Sequence, residues 1–395
     1  MKRPNKQNSN TDVEVIKIFL IAGEPSGDVL GGRLMAALKR QGSFEVEFYG
    51  IGGECMKEEG LKSLVPIQDL SIMGIAEVVP KFLKLRRLVL NTANVINYLS
   101  PNLLITIDSP SFCFGVLKRV KKSHQIKRVH YVAPSVWAWR PGRIQKFARE
   151  FDHLLTLLPF EPNYFIPSGL PTTFVGHAVV ESNLDGFDGR QFRERYNLDP
   201  NAALLCVLPG SRLGEVRRHM KPFRDAVLLL KRNIPTLNIV IPTLSNLVHE
   251  IREEVKEWDI GVIVVEGQKE KFNSMAASNV ALAASGTVTL ELAMMRVPCV
   301  IGYRVNLITS WLVRILIRIK FANLVNILLD QEVVPEFIQG NCSGKKLAVG
   351  LEKLFRDKTA YAAQQKLARD AINLVRLKNQ LPSDAAASTV LSLID

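Results

Sequence analysis

The chain has few cysteines, no long apolar run and a deficit of acidic residues, and each shortage removes a class of protein. Its five cysteines (Cys55, Cys113, Cys206, Cys299 and Cys342) are odd in number, scattered, and form no CxxC pair. This argues against a disulfide framework or a structural zinc site and for reduced thiols, several of them acting as small hydrophobes. The apolar run Val15–Ala22 is far shorter than the ~20 residues a spanning helix needs. It leads into Gly-Glu-Pro-Ser-Gly-Asp rather than a small-residue cleavage site, so neither membrane insertion nor export is expected. No GxGxxG follows that run, and a dinucleotide fingerprint is unsupported. Acidic residues number 38 against 51 Lys plus Arg, a formal net charge of +13. The excess favours anionic partners: nucleic acid, acidic headgroups or phosphorylated substrates. Without a zinc finger, RNP or helix-turn-helix signature, nucleic acid is not expected.

What is present is an ordinary globular composition, 47% hydrophobic and 23% charged over 395 residues, enough for two to three domains of ~150 residues. Ile16–Ala22, Val46–Gly50, Leu103–Ile107, Val129–Ala133 and Leu154–Leu158 read as buried strands. They alternate with helix-length stretches such as Val29–Gln41 and Leu83–Leu99. The pattern pauses in a polar, turn-rich stretch near Val180–Pro200. It restarts at Leu204–Leu208, Asn238–Ile241, Val262–Val265, Val280–Ala283 and Cys299–Gly302. The expected fold class is α/β, two Rossmann-like doubly wound domains in tandem. The expected organisation is a disordered tail over 1–14, a first domain over 15–180, a second over 181–365 and a helical segment over 366–395 that packs back on the first domain.

In such sheets ligands bind where strands exit into helices, so the residues after each strand carry the functional argument. Ala22-Gly23-Glu24-Pro25-Ser26-Gly27-Asp28 offers a substrate contact through Glu24, Ser26 and Asp28, or a tight turn with Ser26 or Asp28 as helix cap. Asp108, after Leu103–Ile107, is placed either to act as general base, or to cap the next helix or order the turn at Pro110. Trp137 and Trp139, with Arg140, Arg143 and Lys146, suit a sugar or acidic group, or an aromatic cluster with a basic rim. His177 ends the first domain, structural or catalytic. In the second half, Gly210, Ser211 and Arg212 supply backbone donors and a guanidinium fork matched to phosphate. Ser285, Gly286 and Thr287 form a second such loop with Glu291 one turn on, placed to accept from ribose, or else a simple helix N-cap with a surface Glu. Two segments mix apolar and basic residues, Leu70–Arg87 (with Met73, Ile75 and Val78) and Trp311–Phe321; each is a buried helix or contacts an anionic lipid surface.

Seven ordered blocks give the chain a resemblance. AGEPSGD (Ala22–Asp28), MGIAEVVP (Met73–Pro80), IDSPSF (Ile107–Phe112), YVAPSVWAWR (Tyr131–Arg140), LPGSR (Leu208–Arg212), SGTVTLE (Ser285–Glu291) and NILLDQEVVPEFIQ (Asn326–Gln339) resemble bacterial lipid-A-disaccharide synthase. Departures are small: Pro25 for Ala, Ala178 for Pro after Gly-His, and Leu213-Gly214-Glu215 after LPGSR. The resemblance implies a two-domain GT-B glycosyltransferase of family 19, its domains facing a central cleft, with UDP on the second. It implies an inverting reaction in lipid A biosynthesis that joins UDP-2,3-diacylglucosamine to 2,3-diacylglucosamine 1-phosphate (lipid X), giving a β-1,6 disaccharide and UDP. Asp108 is then the candidate base, with Glu24 and His177 behind it, and Arg212 meets the leaving diphosphate. Gly210, Ser211, Arg212, Ser285, Gly286, Thr287, Glu291 and Asn326 would hold the donor; Ser26, Met73, Ile75, Val78, Trp137 and Arg140 the acceptor and its acyl chains. No cofactor or metal is expected, the UDP-sugar being a substrate and no DxD pair lying beside these loops. The implied location is cytoplasmic, peripheral on the inner membrane of a Gram-negative bacterium, with homodimerisation left open. A UDP-N-acetylglucosamine 2-epimerase would share the UDP loops but not the acyl-handling segments.

Overall fold

The computed structural model describes residues 15–67, 75–121, 125–134, 142, 144–182, 186–305 and 320–394, with 75–82 described by backbone alone. The chain folds as two compact units, Met1–Ala178 with Leu377–Asp395, and Val179–Arg376.

The first unit is built on a seven-stranded sheet. Its strands are β1 (Val15–Ala22), β2 (Glu45–Ile51), β3 (Lys62–Ser63), β4 (Leu103–Ile107), β5 (Lys127–Tyr131), β6 (His153–Thr156) and β7 (Thr172–Phe174). They lie in the order β3-β2-β1-β4-β5-β6-β7, every pair parallel. Successive side chains of a strand point to opposite faces, and β1 divides accordingly. Ile16, Ile18, Leu20 and Ala22 enter one core with α1 (Pro25–Gln41) and the C-terminal helix Pro382–Leu391. Phe19 and Ile21 enter the other, with Leu88, Val89, Ala93 and Ile96 of α3 (Ile75–Leu99) and Phe112, Cys113 and Val116 of α4 (Pro110–Leu117). Both faces are covered, which is why these strands read as unbroken apolar runs. The C-terminal helix is fastened to α1 at its rim, Arg40 Nη2 lying 2.6 Å from Asp384 Oδ1.

The second unit carries β8 (Leu204–Leu208), β9 (Asn238–Thr243), β10 (Ile263–Glu266), β11 (Val280–Ala283), β12 (Cys299–Tyr303) and β13 (Glu336–Ile338). The order is β10-β9-β8-β11-β12-β13, again parallel throughout. Its core joins Leu205, Val207, Ile239, Ile241, Val280, Leu282 and Val300 to two helices, α5 (Leu213–Asn233) and Gly344–Arg356.

Two expectations shift. The polar, turn-rich stretch that interrupts the pattern holds a short helix, Gly189–Arg195, capped by Asp188 Oδ1 on the Arg190 and Gln191 amides. The boundary expected after residue 365 falls inside the helix Lys358–Leu374, which belongs wholly to the second unit. Its Gln364, nearly buried, exchanges hydrogen bonds with the backbone of Cys299 at the start of β12, so the helix cannot leave that sheet without breaking them.

Candidate active site

In a doubly wound sheet the crevice opens where strand order reverses. In the first unit that point lies between β1 and β4, in the second between β8 and β11. Of the strand-exit residues singled out from sequence, Glu24, Ser26 and Asp108 fall at the first point, and Gly210–Arg212 and Ser285–Thr287 at the second.

At the β1/β4 point the two exit loops touch. A Cβ built on Gly23 would lie 2.0 Å from Ser109 Oγ, so only glycine lets the loop bearing Glu24 pass the loop bearing Asp108. Gly27 brings the first turn of α1 down on the strand ends, 3.4 Å from Ile107 Cγ2 by the same construction. Glu24 occupies the N-cap position of α1, at the positive end of the helix dipole, without a side-chain capping bond. Ser26 is exposed in the first turn.

Asp108 (φ +53°) and Ser109 (φ +45°) are consecutive left-handed residues, and Val132 (φ +80°) repeats the feature one strand over, just after β5. Such conformations cost non-glycine residues of order 1–3 kcal/mol each and cluster at functional sites. The capping alternative for Asp108 does not describe this geometry. Ser109 holds the N-cap position of α4, while among the described residues the Asp108 carboxylate accepts only the adjacent Ser109 N–H, at 2.8 Å. His177 is 6% exposed after β7, and burial pushes its imidazole down to about 4, so it is neutral at pH 7.

Asp28 leaves the candidate list. It is buried, and its carboxylate accepts the amides of Gly53 (2.7 Å), Cys55 (3.0 Å) and Met56 (3.1 Å). It thus secures the start of α2 (Glu54–Glu58) instead of facing substrate.

At the β8/β11 point, Gly210 (φ +134°) and Gly286 (φ +149°) occupy backbone conformations suited to glycine. The backbone N–H groups of Ser285, Gly286 and Thr287 meet no acceptor among the described residues. Ser285 Oγ donates to Ala322 O at 2.8 Å, bracing its loop from the side. Arg212, half-exposed, is the N-cap residue of α5. Glu215, on the first turn of α5, was not singled out from sequence as a site residue. It accepts Ser211 N–H at 3.3 Å and lies 3.6 Å from Arg212 Nη1. The Ser211 amide is therefore engaged by a carboxylate rather than open to a ligand. The signal was Glu three residues after a helix N-cap, a capping-box position. Glu291 is reached by Lys271 Nζ at 2.5 Å, from α6 (Gln268–Ala277) onto α7 (Val288–Met294). The lysine fixes the carboxylate expected to meet ribose.

Asn326 is corrected outright. It is fully buried; its Oδ1 accepts the amides of Val333 and Val334, and its Nδ2 donates to Val334 O and Glu336 Oε1. Two donors and two acceptor sites are all an amide side chain offers, so nothing remains for a UDP-sugar. Met73, Trp137 and Arg140 lie outside the described residues, as do the side chains of Ile75 and Val78 and most of Trp311–Phe321.

Two parallel, doubly wound α/β units, each with its loops gathered at a switch point, define a protein of the GT-B class. Solved structures agree on the fold. The S. aureus MnaA–UDP complex superposes with a TM-score of 0.66 at 13% identity, covering 96% of both chains. A UDP-GlcNAc 2-epimerase from Neisseria meningitidis bound to UDP-GlcNAc gives 0.62 at 11%, covering 96% of this chain and 99% of its own. Sequence fixes the family more narrowly. The lipid-A-disaccharide synthetase family model matches residues 18–390, and the chain belongs to that family. A lipid-A-disaccharide synthase from Rhodospirillum centenum is 45% identical over 378 residues, 95% of this chain and 94% of the relative.

Proposed function

We propose that this chain joins UDP-2,3-diacylglucosamine to 2,3-diacylglucosamine 1-phosphate, forming the β-1,6-linked lipid A disaccharide 1-phosphate and releasing UDP. The observation that carries the reading is the family match across residues 18–390, which spans both units and so both substrates' sites. Asp108 takes the proton from the acceptor 6-hydroxyl as that oxygen attacks the anomeric carbon, Glu24 and His177 being the alternative bases on the first unit. The bond from that carbon to the diphosphate breaks on the opposite side, inverting the centre. Arg212 and the Gly286–Thr287 amides take up the charge on the departing UDP, and Glu291 accepts from ribose. Incubation with the two acylated sugars should yield a disaccharide and free UDP in equal amounts. UDP release without the acceptor would instead favour the epimerase chemistry of the structural neighbours.

Both substrates carry acyl chains, and we place the enzyme on an anionic lipid surface through α3. Leu83 (68% exposed), Arg86, Arg87 and Leu90 stand at i, i+3, i+4 and i+7, so one exposed face combines apolar and basic side chains. No described helix is long and apolar enough to cross a membrane. Binding to vesicles containing phosphatidylglycerol should weaken as salt rises, and the double variant L83S/L90S should bind them less while keeping its UDP affinity. Vesicle binding indifferent to both changes would remove α3 from the lipid contact.

A further inference from the structure

We infer that His219 is a positioning residue for the UDP-sugar: it sets the direction in which the Gly210 N–H points. The inference rests on the reading that the β8 exit loop holds the donor diphosphate.

His219 lies two turns into α5 and is fully buried. Both ring nitrogens are engaged. Arg304 N–H donates to Nε2 at 2.9 Å, and Nδ1 lies 2.7 Å from Pro209 O. A carbonyl only accepts, so the proton sits on Nδ1 and the ring is the neutral Nδ1–H tautomer. Phe223 stacks on the ring (5.5 Å between centroids, 15° between planes), and Tyr303 flanks it at 5.4 Å. The imidazole is thus held in one orientation.

The consequence follows from peptide geometry. In a planar trans peptide the C=O and N–H point in opposite directions. With Pro209 O drawn toward His219, the Gly210 N–H of the same peptide is turned away from it. That amide meets no acceptor among the described residues. Gly210 also has no room to readjust around a side chain, since a Cβ there would sit 2.7 Å from Glu215 Cβ. Through Arg304, which also accepts from Arg218 Nε at 3.1 Å, the same imidazole ties the β8 loop to the exit of β12. β8 and β12 flank β11, whose exit carries Ser285–Thr287. His219 therefore braces one donor loop from beneath while spanning the strand that leads to the other.

The test is a substitution series read by calorimetric titration with UDP and by donor KM and kcat in the full-length enzyme. H219N keeps an N–H where Nδ1 stood, H219Q keeps an acceptor near Nε2, and H219L keeps neither. UDP affinity should fall about tenfold in H219L, the scale of one lost hydrogen bond, should stay low in H219Q and should recover in H219N. Donor KM should follow that order, with kcat at saturating donor changing much less. If H219L does not fold, the H219N and H219Q pair decides alone. Equal UDP affinity in H219N and H219Q, or affinities that simply follow the melting temperatures, would overturn the inference. Arg212→Ala separates the two levels of argument: undiminished UDP affinity in that variant would show that the β8 loop is not the UDP site. Weakened affinity there beside wild-type affinity in H219Q would defeat the positioning role alone.

Discussion

At the switch point of the first unit the strand exits carry Glu24 and Asp108, whereas at that of the second they carry Gly210-Ser211-Arg212 and Ser285-Gly286-Thr287. The backbones differ in the same sense. At the first switch point Asp108 and Ser109 are left-handed, while at the second the positive φ values fall on Gly210 and Gly286. Where a side chain must do the chemistry, glycine is no option and the strain is retained. Where backbone N–H groups meet the ligand, glycine removes both the strain and the obstruction. The proposed roles follow that division, with proton transfer on one unit and anion binding on the other.

The sharpest way to break that comparison is Asp108→Asn. Asparagine tolerates the left-handed conformation as well as aspartate but cannot take a proton. Turnover should fall by ~10²–10⁴-fold, the scale of general-base catalysis, with the melting temperature and UDP affinity unchanged. A folded, nearly fully active variant would move the base to Glu24 or His177. Asp108→Gly extends the test, since it should lose as much activity while relieving backbone strain and so at least preserving stability.

Acid should separate the units next. His130, in the β5 strand, is fully buried, and burial pushes it down to about 3; His177 lies at about 4. Both are neutral when folded and near 6.5 when unfolded, so the unfolded chain binds protons that the folded chain refuses. Their stabilising contribution is complete above pH 6.5 and lost as pH falls toward 4. At pH 5 each imidazole should have cost the first unit about 2 kcal/mol. Hydrogen exchange at pH 7 and pH 5 should show the amides of β4 and β5 losing more protection than those of β8 and β11. Equal losses would mean these two histidines do not dominate the acid response.

Arg212→Ala should give the smallest of the three effects. A charge-assisted contact to phosphate is worth ~1.5–3 kcal/mol, so turnover should drop at least ~10-fold. Because Arg212 is half-exposed and its ion pair with Glu215 is long at 3.6 Å, stability should hardly change. Activity within twofold of the parent would take Arg212 and the β8 exit loop out of the diphosphate site.

Much of this was legible before any coordinates. Leu103–Ile107, Leu204–Leu208 and Val280–Ala283 stand where their apolar runs put them, because a strand buried on both faces is apolar almost throughout. The strands that escaped notice, β3, β7 and β13, lie at sheet edges, are two or three residues long and consist of residues only partly buried or exposed. An edge strand has no apolar run to announce it.

The sequence by itself determined the two parallel sheets, the strand exits where polar residues gather and the family, since short apolar runs, loop composition and ordered motif blocks are local properties. Tertiary structure alone decided what each polar residue does there. Asp28 turned from substrate contact to anchor by meeting amides 25 to 28 residues away. Asn326 became scaffold once Val333, Val334 and Glu336 used up its amide. His219 acquired its role from a partner 85 residues distant. A buried polar group must be satisfied by whatever the fold brings to it, and no local pattern states which groups those will be.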